Sequence, residues 1–209
     1  MKNYMISLAK ALVLLILVNV LASFLSVRFD LTEDHRYTLS QPSVDAATHL
    51  EGQVIVDVLL DGNLPPEFIK LKTEIRQLLE SFASKNAEIK FSFVDPLDGV
   101  EQIDQTITEL QALGLTPTRV TVGDNNKVSQ EIVFPWAMVN YNNKTIKVPL
   151  LKNKQGATTE DRVNNSVQHL EYAFADAFSK IAIKEKKRIA VIKGNGELED
   201  LYLADFLTS

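Results

Sequence analysis

One stretch of this chain is apolar on every side, and the remainder alternates with recognisable periods. From Ala11 to Val27 no residue is charged, and only Asn19, Ser23 and Ser26 are polar. A bilayer core of ~30 Å takes roughly 20 helical residues. Tyr4–Val27 supplies that length if Lys10 snorkels to the headgroups. A buried core helix is seldom apolar on all faces. A cleaved signal peptide is the rival reading, with Lys2 and Lys10 as its basic region and Val20-Leu21-Ala22 near a cleavage site. The apolar run continues past Ala22 through Phe24-Leu25, which favours an uncleaved anchor over about 5–27. Lys2 and Lys10 on one side, against Asp30, Glu33 and Asp34 on the other, put residues 28–209 outside the cytoplasm by the positive-inside bias.

Beyond the anchor, "DLTEDHRYTLSQPS" is a polar, charged exit. Ser40-Gln41-Pro42-Ser43, which holds an N-cap candidate, and the spacing of Val44, Ala47 and Leu50 predict a short helix at about 41–50. "QVIVDVLL" (53–60) reads as a strand buried on both faces. Pro65-Pro66 then opens a helix over 66–85, with Phe68, Leu71, Ile75, Leu78, Leu79 and Phe82 on one face. "IKFSFVDP" (89–96) is a second strand, so the order is βαβ, with parallel pairing expected. Ile55, Val56, Val58, Leu71, Ile75, Leu78, Phe82, Phe91 and Phe93 form the expected core.

A third helix places Val100, Ile103, Ile107 and Leu110 inward and ends at Gly114 as its C′ residue. From Pro117 to Lys147 the period shortens. "TRVTV", "QEIVF", "AMVNY" and "KTIKV" are strands joined by hairpin chemistry at Gly123–Asn126 and Asn142-Asn143, so this half of the sheet is antiparallel. Thr158 with Asp161 resembles a capping box, and Val163, Val167, Leu170, Phe174, Phe178 and Ile181 share a stripe of the helix that follows. "RIAVIKGNGELED" begins a further strand, turn and helix. The organisation is therefore a membrane anchor (1–28), a mixed-sheet, thioredoxin-like α/β domain (29–157), a connecting amphipathic helix (158–187) and the start of a second α/β unit (188–209).

Composition narrows the chemistry. The 209 residues are 45% hydrophobic and 23% charged, which suits a folded chain, and the net charge of −5 disfavours nucleic acid. The absence of cysteine removes disulfides, thiol catalysis and zinc–thiolate sites. His35, His49 and His169 lie far apart, without metal-ligand spacing. Gly194–Glu197 lacks the full phosphate-loop pattern and reads as a structural turn. Asp95-Pro96 and Asp98 sit where α/β proteins place sites, but turn formation accounts for them. Asn164-Asn165-Ser166 is poor helix material, explained if its side chains bond to the sheet domain or else lie on an exposed face. Trp136 is expected to be partly buried packing, and the basic residues from Lys180 to Arg188 to offset a helix dipole. No catalytic, cofactor or metal set emerges, and the expectation is a non-enzyme without cofactor. In the anchor, Asn19, Ala22, Ser23 and Ser26 share one face, the pattern by which small and polar residues meet a partner helix.

The order of segments resembles the gliding-motility-associated ABC transporter auxiliary family, GldG. The resemblance rests on Arg36–Ser40 (RYTLS), the Leu64–Phe68 turn, Val94-Asp95-Pro96 and the Asn165–Tyr172 helix segment. One departure is Gly194-Asn195-Gly196-Glu197, where the family carries Gly-His-Gly-Glu. The resemblance implies a non-catalytic, substrate-binding-like auxiliary subunit with an ABC permease and ATPase as partners. Family members are longer, so the chain reads as an N-terminal portion. The alternative is a periplasmic ligand-binding or sensory module that the anchor only localises.

Overall fold

The computed structural model of the chain describes residues 38–183 apart from 125–126 and 153–155, together with residues 5, 7, 10 and 12–19. The domain is a mixed α/β structure. Its elements are α1 (Gln41–Thr48), β1 (Val54–Val58), α2 (Pro66–Lys85), β2 (Ile89–Phe93), α3 (Ile103–Ala112), β3 (Thr118–Asp124), β4 (Lys127–Val133), β5 (Trp136–Tyr141), β6 (Lys144–Pro149), α4 (Thr159–Val167) and α5 (Leu170–Ala182).

The main sheet has the order β2-β1-β5-β6. β1 and β2 are parallel, in the register Val54↔Ile89 to Val58↔Phe93, as the βαβ reading requires. β5 runs antiparallel to β1, and β6 antiparallel to β5. Asn142 and Asn143 join the last pair with φ of 45° and 60°, the left-handed pair that a two-residue hairpin turn needs. The other two expected strands leave the sheet: β3 and β4 make a ribbon of their own.

The inner face of the sheet is the core. Val54, Val56, Val58, Ala137 and Val139 are fully buried, as are Phe68, Leu71, Ile75, Leu79 and Phe82 of α2. From α5, Phe178 meets Phe82 edge-on, with centroids 5.1 Å apart at 82°. Asn86 ends α2 in extended backbone, and its side-chain amide donates to the carbonyls of Ala47 and Leu50. These bonds tie the end of α2 to the C-terminal end of α1.

The expectation that β1 is buried on both faces is corrected. Ile55 is 42% exposed, because β1 alternates and its outer face carries a polar ladder. Ser92 donates to Asp57 at 2.8 Å, Asn140 donates to the other Asp57 oxygen at 3.2 Å, and Thr145 donates to Asn140 at 2.7 Å. A chain of side-chain bonds thus crosses all four strands.

At the other end of this face Leu59, Ile107, Leu115 and Phe134 form a small second core, with Trp136 packed against it. Of the residues expected inward on α3, only Ile107 is buried; Ile103 is 47% exposed. The predicted stop of α3 is as expected. Gly114, at φ +80°, donates to Gln111 and Leu115 donates to Leu110, the paired bonds of a Schellman cap. Lys147 adds a bond to the Leu113 carbonyl at 2.6 Å.

The single helix expected over 158–187 is two. Thr158 caps α4 by accepting from the Asp161 N–H. Further on, Asn165 donates to the Asp161 carbonyl and Ser166 to that of Arg162. Such back-bonding competes with the main-chain ladder and bends helices, and the helix breaks at Gln168-His169.

Leu78, Phe91 and Phe93 prove only partly buried at the edge of the core. The adjacent pair on α2 provides a test. Leu79→Ala should lower stability by ~2–5 kcal/mol and Leu78→Ala by clearly less, measured by chemical denaturation.

Candidate functional site

A groove of about 680 Å³ lies between α2 and the α4–α5 joint, closed at one side by Thr38, Leu39 and Ser40. Each wall follows from helix spacing. Lys70, Glu74, Gln77 and Ser81 recur at three- and four-residue steps and share one flank of α2, opposite the buried face set by Phe68, Leu71 and Ile75. Asn164, Gln168 and Glu171 do the same across the joint. Leu78 and Val167 lie between the two.

Two side-chain links hold this groove. Lys70 donates to Asn164 at 2.8 Å, joining α2 to α4. Ser40 donates twice to Glu171, from its backbone N–H at 2.8 Å and its hydroxyl at 2.7 Å. The second link replaces the expected capping role: Ser40 occupies the N-cap position of α1 but makes no side-chain cap bond. Burial pushes the Glu171 carboxyl up, but hydrogen bonds from the Ser43 and Ser40 hydroxyls and the Ser40 N–H outweigh it and hold the group below its ordinary value. In the sequence Ser40 stands out only within the N-cap candidate and the Arg36–Ser40 segment, and Glu171 only within Asn165–Tyr172, and nothing in their spacing pairs residues 131 positions apart.

The Asn-Asn-Ser segment meets the expectation in part, since Asn165 bonds to the Asp161 carbonyl of its own helix while the other two reach outside it. Asn164 reaches α2, and Ser166, 2% exposed, accepts the Lys152 N–H at 2.8 Å. Trp136 is half-buried, and its indole N–H donates to the Thr116 carbonyl at 2.8 Å. Lys180, the one member of the basic run inside the described residues, pairs with Asp176 at 2.8 Å.

The acidic turns at the carboxyl ends of β1 and β2 are structural. Asp95 accepts the Leu97 N–H at 2.9 Å. Gly62, at φ +82°, lies so close that a β-carbon there would overlap the Asp95 carboxylate. Beside it, the hydrogen bond from Lys72 and then the Gly62 N–H hold the Asp61 carboxyl below its usual value. Lys72 and Arg76 both lie over the ring of Phe93.

No group of acids and histidines able to hold a metal occurs among the described residues. His49 and His169 direct their Nδ1 atoms at main-chain oxygens one turn back. Of the expected partner face, Asn19 is helical and exposed, while Ala22, Ser23 and Ser26 lie outside the described residues. The same is true of His35, Gly194–Glu197 and the strand–turn–helix expected after residue 188. Among the described residues no helix is long and apolar enough to cross a membrane. Residues 12–19 are helical, with every side chain exposed.

A family model described as a domain of unknown function (DUF7088) matches residues 33–140. No curated protein and no solved structure matches the chain. The matched span covers α1 to β5, so it includes the α2 wall of the groove and Ser40 but not Glu171.

The link between Ser40 and Glu171 yields a pH prediction. A carboxyl depressed by folding contributes stability above its ordinary value of 4.5 and loses it as pH falls through the lower folded value. Protection of the Ser40 amide from hydrogen exchange should hold at neutral pH and fail on that acid side. Glu171→Ala should remove it at neutral pH too, weakening the local closed state by about 1 kcal/mol after allowance for solvent exposure.

Proposed function

The chain belongs to the DUF7088 family of domains of unknown function, and we propose that its role is that of a non-catalytic, membrane-anchored auxiliary subunit of an ABC transporter. The observation that carries this reading is the N-terminal apolar run. Leu12, Leu14, Leu15 and Val18 are each more than half exposed, an arrangement that hydrocarbon would stabilise and water would not. On this reading residues of about 5–27 anchor the chain in the cytoplasmic membrane and the α/β domain lies in the periplasm. The resemblance to the GldG family supplies the partners, a permease and an ATPase, and the association with gliding motility. The domain would be a thioredoxin-like module without redox chemistry, a layout supported by the β2-β1-β5-β6 order and the absence of cysteine.

The Ser40–Glu171 link supports the same role, because it ties the segment leaving the anchor to a core helix. A second reading, a periplasmic ligand-binding or sensory module, is favoured by the groove beside that link.

Two measurements test these readings. Protease added to spheroplasts should digest residues 28–209, whereas protection of that region would overturn the orientation. Affinity purification in mild detergent should retain a permease and an ATPase, and Asn19→Leu with Ser23→Leu should lower their recovery several-fold, because an amide and a hydroxyl in hydrocarbon seek bonds to a partner helix. Unchanged recovery would exclude that face of the anchor as the contact.

A further inference from the structure

The chemistry of the groove walls defines what they can hold. Glu74 has no ionic or hydrogen-bonding partner among the described residues. One turn along the same helix, the side-chain oxygen of Gln77 is shielded from solvent and also unpaired. Glu74 thus presents an unpaired acceptor to the groove, and the shielded, unpaired oxygen of Gln77 leaves the wall beside it unfavourably desolvated. One turn the other way, Lys70 is steadied by its bond to Asn164 and keeps two further N–H donors. Leu78 and Val167 supply an apolar surface between the walls, and no aromatic ring is among the described residues that line the groove. A sugar or a nucleobase would find no ring to stack on.

The requirement is for a molecule with a cation at one end, an anion at the other and a short apolar body. Lys70 and Glu74 are separated by ~6 Å along the helix axis, and an extended dipeptide spans at most ~7 Å. From this match we propose that the groove is a binding site for a zwitterionic dipeptide, its ammonium on Glu74 and its carboxylate on Lys70. The proposal rests on the ligand-binding reading and gives it a substrate class. Ser40 forms part of the rim, so an occupied site would lie directly against the segment leading to the anchor.

The test uses the full chain in mild detergent, with leucyl-leucine as the probe in isothermal titration. Saturable binding is expected, weakened about tenfold or more (~1.4 kcal/mol) by Glu74→Gln and by Lys70→Met. Circular dichroism melting of each variant checks that the fold is retained. Leucyl-leucine amide, which lacks the carboxylate, should bind with an affinity that Glu74→Gln lowers and Lys70→Met leaves alone. Absence of saturable leucyl-leucine binding at millimolar concentration, or binding undiminished in both variants, would overturn the proposal. Binding of the uncharged N-acetyl-leucyl-leucine amide alone, abolished by Leu78→Glu, would overturn the zwitterion but keep the groove as a site. If neither probe binds, the ligand-binding reading fails with it. Co-purification of the transporter components is scored separately, so the subunit reading stands or falls on its own result.

Discussion

The domain depends on a single apolar layer, the inner face of the four-stranded sheet closed by α2 and α5, with the Phe82 and Phe178 rings meeting edge-on at its centre. Interiors of this kind are packed to near-crystalline density, so the two helices cannot shift independently. Because both cover one face, they stand side by side with their outer flanks to solvent. The groove between α2 and the α4–α5 joint follows from the packing beneath it. Its polar walls are the solvent faces of helices whose opposite faces are fixed by phenylalanine, leucine and isoleucine.

The remaining face of the sheet follows a different rule. Asp57, Asn140, Ser92 and Thr145 satisfy one another in a line across the strands. A carboxylate in the middle of a sheet is tolerated here because its oxygens accept from both neighbouring strands. Apolar packing resumes only where Trp136 and Ile107 cover the far end. The domain is thus held by hydrophobic burial on one side and largely by cross-strand polar bonds on the other.

Much of this architecture is legible in the amino-acid sequence. The period of α2 and the flanking strands announces the βαβ unit, Gly114 marks a helix end, and Asn142-Asn143 marks a hairpin. Each signal is local, carried by a few adjacent residues with restricted backbone or side-chain preferences. What escapes is tertiary. "QVIVDVLL" looks doubly buried because valine and isoleucine suit either face, and only the cover available decides that Ile55 stays outside. The break at Gln168-His169 comes from side chains of Asn165 and Ser166 turning back on their own helix, a choice their identities permit without dictating. The groove is illegible for the same reason. Lys70 and Asn164 are 94 positions apart and Ser40 and Glu171 are 131 apart, distances over which no period or spacing rule operates.

The bond between Ser40 and Glu171 also has a mechanical meaning. A pull on the chain from the N-terminal side of Thr38 reaches Ser40 first. Through Glu171 part of that load passes straight into α5, whose Phe174 and Phe178 are rooted in the core. β1, next along the chain after α1, then carries only what α5 does not absorb. Two charge-assisted bonds to one carboxylate act as a strain relief, sparing the parallel strand pair from being peeled open from its N-terminal end.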